Sequence, residues 1–423
     1  MQTDHHPALP RQQGPRGRSG DRSRDRSATA SAERSAAVSA DRSSGPSADR
    51  SPERSPDRPA RAEPVAPGRP PTLRDVAEAA GVHAATASRA LNPETRRMVR
   101  GETARRVRRA AEALGYQPNP IARSLKTART ATVGLVVPDL TNPLFPPIVR
   151  GIESVLDPAG YSAWVVNTDN VPEREQARIE ALRSRQVEGL IVATARLDHP
   201  LLHALHTQGV TMVLVNRRTE GLPVPLVTGD DAGGVALAVR HLVELGHTRI
   251  AHLSGPRDTS TGVARARAFR HALRDHGLPD APELIAECAA WTEPDGARAL
   301  RGLLDAGREF TAVVAGNDLI ALGCYDVLAE RGLECPRDVS VVGFNDMPFL
   351  DKMHPPLTTV RVPHHELGAE AARMLLDSLT AGPAAAGRHP ASGPRSLLLP
   401  ATLVVRGSTD RPGGGGPRPA GGR

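Results

Sequence analysis

The sequence predicts two folded parts of different class: a small all-α module containing a helix-turn-helix, followed by a larger α/β body of two sub-domains. Three observations predict it. Three short helical patterns fall within about 45 residues starting at Thr72, the first two separated by a tight glycine turn. Further on, short apolar runs rich in β-branched residues alternate with helical stretches of about 10–15 residues, the rhythm of a parallel sheet covered on both faces. The third observation is charge, which is +4 over residues 1–70, +7 over 71–130 and −4 over 131–423. A basic front end on a mildly acidic body suits a polyanionic partner, because Lys and Arg release counterions from phosphates.

At 423 residues the chain is too long for one ordinary domain, and with aromatics at 2% its core must be built from Ala, Leu and Val. Cys288, Cys324 and Cys335 lack the spacing of a zinc or redox motif and read as ordinary thiols in a reducing compartment. No apolar run approaches the roughly 20 residues that cross a bilayer, and the front lacks an apolar signal core. The expectation is a cytoplasmic protein with no membrane association, no cofactor and no metal.

Residues 1–70 are rich in Arg, Ser, Asp, Pro and Ala, with repeated DRS triplets, and hold too little apolar surface to offset the entropy of ordering. They read as a disordered extension, either a solvated tail or a weak nonspecific DNA-binding arm. Order begins at Thr72, whose spacing to Asp75 is that of a capping box, with Leu73, Val76, Ala77 and Ala80 on one helical face. Gly81 ends that helix. A second short helix runs from Ala84 to Leu91 with Ala87 and Leu91 inward. In the third, Ala104, Val107, Ala111 and Leu114 form the inner stripe while Arg105, Arg106, Arg108 and Arg109 face out.

The body contains at least seven strand-like runs: TVGLVV, YSAWVV, GLIVA, MVLVN, RIAHLSG, TAVVAGN and VSVVGFN. Spread over about 275 residues, they fit two sub-domains with a cleft better than one large sheet. The final RPGGGGPRPAGGR stretch reads as a flexible tail.

TLRDVAEAAGVHAATASRALN, followed by ARRVRRAAEALGYQPNPIARSLKTART, resembles the DNA-binding head of the lactose-repressor (LacI/GalR) family. The resemblance continues through VGLVVPDLTNPLF, HLVELGHTRIAHLSGP, VSVVGFNDMPF, PPLTTVRVP and LVVRGST, covering essentially residues 71–408. It implies a helix-turn-helix head over 71–116, a hinge helix and linker over 117–130, and a periplasmic-binding-protein-like effector-binding and dimerisation domain over 131–408. A disordered tail over 409–423 remains.

By the same resemblance Ala84, Ala85 and Arg89 lie on the recognition helix. Arg89 suits a bidentate contact to guanine; the two alanines are either methyl partners for thymine or simply good helix formers. Thr72, Thr86, Ser88, Asn92 and Tyr116 join the DNA-binding set, with Thr86 and Ser88 as phosphate donors. Asn119, Ala122, Arg123, Leu125 and Lys126 belong to the hinge, with Leu125 as a wedge between base steps in the minor groove.

The resemblance places an effector, a sugar or related metabolite, against Leu144, Phe145, Asn216, Thr259, Thr261, Arg265, Trp291, Asn317 and Asn345. Trp291 offers a flat face and Arg265 a fork for hydroxyls, a carboxylate or a phosphate. Asn345 stands where many relatives have Asp, so two neutral amides are expected on that side.

The chain departs from the family in places. His83 replaces the usual serine N-cap of the recognition helix, a weaker cap by about 1 kcal/mol if nothing compensates. The loop from Asn92 to Val99 is about two residues longer than usual, and Arg100 stands where a capping Ser or Asn is expected.

An α/β enzyme is the natural rival. No G-x-G-x-x-G follows the first strand, neither a P-loop nor a G-x-S-x-G motif occurs, and His241, His247 and His252 lack metalloprotease spacing. An exported solute-binding protein would share the body but carry a signal peptide in place of a basic head. The expected protein is a regulator, most simply a repressor, that binds a pseudo-palindromic double-stranded operator as a homodimer. The closing strand is followed by no leucine heptad, which favours a dimer over a tetramer. Effector binding in the cleft shifts the DNA-bound population, with induction and corepression both open.

Overall fold

The computed structural model describes residues 69–92, 95–117, 129–381 and 394–413. The extension up to residue 68, the hinge residues Asn119, Ala122, Arg123, Leu125 and Lys126, and the tail from residue 414 lie outside the described residues.

The head contains helices α1 (Leu73–Ala79), α2 (Ala84–Leu91) and α3 (Gly101–Leu114). The capping box forms: the Thr72 hydroxyl accepts from the Asp75 N–H, and the Asp75 carboxylate accepts from the Thr72 N–H at 2.7 Å. Gly81 turns the chain at φ +60°, where a Cβ would be strained. His83 supplies the cap that serine would, its Nδ1 accepting the Ala85 N–H at 3.2 Å. Arg100 offers no side-chain cap to α3.

Val76, Ala77, Ala80, Ala87, Ala90, Ala104, Val107 and Ala111 form the buried core of the head. On α2 the inner residues are Ala87 and Ala90, one step from the expected Ala87 and Leu91, because Leu91 lies at the half-buried margin. Arg106 is not simply an outward charge: its Nε donates to the Ala80 carbonyl at 2.8 Å and ties α3 to the end of α1.

The body contains twelve described strands in two six-stranded sheets. The strands are β1 (Thr132–Val137), β2 (Ser162–Asn167), β3 (Gly189–Val192), β4 (Met212–Val215), β5 (Leu226–Gly229), β6 (Ile250–Ser254), β7 (Ile285–Glu287), β8 (Ala312–Ala315), β9 (Ser340–Asn345), β10 (Thr358–Arg361), β11 (Ser396–Leu399) and β12 (Thr402–Val404). The first sheet has the order β11-β5-β4-β3-β1-β2 and the second β12-β10-β9-β8-β6-β7. All pairings are parallel except β10 with β12. All seven expected strands are present. Of the five others, β5, β7, β11 and β12 are partly exposed, so they lack a continuous apolar run.

Helices α4 (Phe145–Leu156), α5 (Pro172–Ser184), α6 (Pro200–Thr207) and α11 (His364–Ala381) cover the first sheet. The two-residue period of β1 sorts the core: Val133, Leu135 and Val137 pack toward α4 and α11, and Val136 toward α5 and α6. Helices α7 (Asp231–Glu244), α8 (Ser260–Asp275), α9 (Glu293–Asp305) and α10 (Asp318–Glu330) cover the second. The closest helix crossing is glycine-mediated: a Cβ on Gly368 of α11 would overlap the Ile148 carbonyl, and one on Gly151 of α4 the His365 carbonyl.

The chain crosses between the sheets three times, after β5, after β10 and between β11 and β12. The crossings touch one another. The Asp230 N–H donates to the Leu399 carbonyl at 2.8 Å, and a Cβ on Gly229 would come within 2.7 Å of Val362.

The expected tail boundary at residue 409 falls inside an anchored strap. Thr409 bonds His241 Nε2 at 2.9 Å, and the Asp410 carbonyl accepts from His247 Nε2 at 2.8 Å, so these residues finish the second lobe. At the other end, Arg69 pairs with Asp75 at 2.8 Å.

Two predictions follow from packing and burial. Gly368→Ala forces α4 and α11 apart and lowers stability by about 1–3 kcal/mol, measured by urea unfolding. The second concerns acidification. Burial holds His252 and His364 down to about 4 and lowers His241 and His247. Below the ordinary histidine value of about 6.5 the unfolded chain therefore takes up protons that the folded chain excludes, and stability falls. Buried Asp318, raised to about 6, works in the opposite direction in the same window. The unfolding temperature should drop between pH 7 and pH 5, and more steeply in Asp318→Asn.

Candidate functional site

Two surfaces collect the polar residues. On the head, α2 presents Ala85 and Arg89 exposed and Ala84, Thr86 and Ser88 half-buried, opposite its buried Ala87 and Ala90. Thr72 is engaged in its capping box, Tyr116 sits at the margin of the head core, and Asn92 caps the end of α2. A short 3-10 turn over Arg96–Met98 occupies the long loop, and Thr95 donates to the Arg89 carbonyl at 3.1 Å, bracing the end of α2.

In the body, the strand ends of the two sheets enclose a cavity of about 230 Å³. The first lobe contributes Asn142, Phe145, Thr168, Glu175, Arg196 and Arg217, and the second Asp258, Thr259 and Trp291. This is the crevice that parallel sheets leave beyond their carboxyl ends. Asn142 accepts the Leu144 N–H at 3.1 Å, shaping the turn that starts α4 with Phe145 against the cavity. Trp291 lies over Gly255, where any Cβ would overlap its indole.

Of the nine residues expected at the effector site, Phe145, Thr259 and Trp291 line this cavity and six do not. Leu144 is buried in the first-lobe core. Asn216 turns the chain after β4 at φ +68°, and Asn345 ends β9 at φ +120°. Thr261 is buried in the first turn of α8, and Asn317 caps α10 by accepting the Ile320 N–H at 2.8 Å. The expected pair of amides therefore does not border the cavity. Arg265 lies beneath Trp291, its guanidinium 5.4 Å from that ring and 3.7 Å from the ring of Phe344. It donates to Asp231 at 2.7 Å and to the Gly316 carbonyl at 2.7 Å, which uses its fork inside the protein.

The cavity wall carries charges that pattern reading missed. Glu175 is buried and accepts from the Thr194 hydroxyl; His199 Nε2 lies 3.2 Å and the Arg196 guanidinium 3.7 Å from its carboxylate. His199 Nδ1 accepts the Arg196 N–H at 3.2 Å, which leaves Nε2 on the Glu175 side. Arg217 is buried with its Nε unbonded, and Thr168 Oγ1 and Trp291 Nε1 are likewise buried without partners. Position just past the ends of β4 and β6 was the signal that could have singled out Arg217 and Asp258. Among the described residues no group of His, Cys, Asp and Glu could hold a metal ion, and no helix is long and apolar enough to cross a membrane.

Comparison with known proteins agrees across the chain. The family model "Bacterial regulatory proteins, lacI family" matches residues 72–119, and "Periplasmic binding proteins and sugar binding domain of LacI family" matches residues 130–406. The transcriptional repressor CytR of Escherichia coli K12 is 34% identical over 339 residues, covering 80% of this chain and 96% of its own. The regulator GalR of Salmonella typhimurium is 35% identical, covering 81% and 96%. Among solved structures, the Lac repressor dimer bound to operator and the anti-inducer ONPF has a TM-score of 0.70 at 28% identity, covering 81% of this chain and 100% of its own. A complex of the regulator CelR with cellobiose has a TM-score of 0.60 at 33% identity, covering 80% and 99%.

Gly255→Ala should displace Trp291 from the cavity wall. Its expected signature is a red-shifted Trp291 emission in a Trp164→Phe background, with a stability loss of about 1–3 kcal/mol.

Proposed function

We propose, from the premise that this chain belongs to the LacI family of bacterial regulatory proteins, that it is an operator-binding repressor whose effector occupies the cavity between the two lobes. The observation that carries this reading is the combination, in one chain, of an exposed recognition-helix face with a cavity walled by unpartnered buried donors. A buried donor without an acceptor costs about 1–3 kcal/mol. A ligand offering acceptors would recover that cost when it binds.

Two copies place their α2 helices in successive major grooves of a pseudo-palindromic site, Arg89 reading guanine and the residues around it positioning the helix on phosphates. The hinge residues Asn119, Ala122, Arg123, Leu125 and Lys126, with Leu125 as the minor-groove wedge, complete the contact. The effector is of the carbohydrate or related metabolite class, as cellobiose is for CelR. It would touch Phe145, Arg196 and Arg217 on one lobe and Thr259 and Trp291 on the other. Holding both lobes at once favours one relative orientation of the sheets over the other. DNA affinity then changes through the difference in the ligand's affinity for the two states. The protein works in the cytoplasm on the nucleoid and has no catalytic role in this reading.

Selection of bound sequences from a random DNA pool by the full-length protein tests it. A palindrome of defined half-site spacing is expected. Arg89→Ala should cost about 1–3 kcal/mol, roughly five- to 150-fold, and relax one base position in each half-site. Leu125→Ala should weaken binding without altering the half-site sequence. Salt-sensitive binding with no sequence preference would sink the proposal.

A further inference from the structure

Arg217 is the anomaly of the cavity. It is the second residue past the end of β4, is 5% exposed, and its Nε is buried without a partner. Among the described residues its guanidinium has no hydrogen bond and no ion pair, although it is a five-donor cation. The nearby negative charges are not available to it. Glu175 is occupied by Thr194, His199 and Arg196, and Asp139 accepts from the backbone and hydroxyl of Thr141 at 2.8 and 2.6 Å. Asp258 stands exposed at the rim of the opposite lobe, beyond ion-pair reach.

Burial lowers Arg217 to about 10; Asp258 opposes that shift, while Arg265 and Arg196 add to it. A buried cation left unpaired is costly to a fold, so one that faces a cavity marks a place where an opposite charge arrives from outside. The other two orphans on this wall, Thr168 Oγ1 and Trp291 Nε1, are also able to donate. Carboxylate and phosphate oxygens only accept, and a guanidinium fork matches their geometry.

We propose that the cavity takes a ligand of sugar size bearing an anionic oxygen group, a carboxylate or a phosphate, and that Arg217 seats that group; this rests on reading the cavity as the effector site. Arg217 is thereby the residue that separates an acidic or phosphorylated ligand from its neutral counterpart. Arg265, bonded to Asp231 and Gly316, remains the support beneath Trp291.

The test uses the full-length protein in a Trp164→Phe background, which leaves Trp291 as the single tryptophan. Its emission and unfolding temperature are followed with inorganic phosphate, D-glucuronate, D-glucose 6-phosphate and D-glucose at constant ionic strength. Operator affinity is measured in parallel. The anions should give saturable shifts that glucose does not, and phosphate against glucuronate distinguishes the two anionic sources. Arg217→Met should weaken the anion response by about ten- to a hundredfold, with Arg217→Lys in between.

Without ligand, Arg217→Met should unfold at the same or a higher temperature, since it removes an unpaired buried charge. A lower unfolding temperature would show that Arg217 is structurally paired and overturn the proposal. So would anion responses that are absent or unchanged in Arg217→Met. A response to glucose alone would leave the cavity as the effector site and remove its anionic character. If operator affinity changed while Trp291 stayed silent, the cavity reading and this proposal would fall together.

Discussion

The chain crosses between its two sheets three times, and nearly everything functional in the body follows from that constraint. Each sheet takes a late strand besides its consecutive run: β11 returns to the edge of β1–β5, and β12 closes β6–β10. The crossings contact one another through the Asp230 to Leu399 hydrogen bond and the Gly229 to Val362 packing. Neither lobe can move without bending all three segments together. The cavity lies between the strand ends that these crossings hold together.

Arg265 links this mechanical frame to the cavity. Its partner Asp231 is the first residue of α7, immediately after one crossing, and its other partner is the Gly316 carbonyl beyond β8. Breaking one half of so buried a pair would cost about 3–5 kcal/mol, because the remaining charge would be stranded. The pair is therefore a stiff joint. Trp291 rests above it, so this part of the cavity wall is backed by residues bonded to the crossing. The head stands on a different kind of economy, a core of alanines and two valines sealed by a capping box and by the Arg106 bond to Ala80.

Much of the fold was legible in the sequence because its signals are local. The three head helices show their spacing, caps and Gly81 turn within a few residues of one another. Six of the seven expected strands are mostly apolar because both their faces are buried, as in TVGLVV and VSVVGFN, while β2 is partly exposed. β7 and β12 were hidden because short edge strands carry mixed residues, half facing solvent. His83 reads as a poor cap by residue type, yet its Nδ1 reaches the Ala85 N–H. The candidate site was less legible. Phe145, Thr259 and Trp291 line the cavity, while Asn317 and Arg265 spend their polar atoms on a helix cap and a buried ion pair.

The sequence alone determined the division into a basic helix-turn-helix head and an α/β body, and the family. These depend on periodicity, charge and ordered motifs, which are properties of neighbouring residues. Tertiary structure decided which polar side chains remain unsatisfied. Arg217, Glu175 and Asp258 are separated widely along the chain, and their charges acquire meaning only when β4, α5 and the loop after β6 converge on one cavity. Whether an arginine is spent or waiting depends on partners that only the folded chain brings within reach, because an ion pair acts over a few ångströms while the sequence records only order.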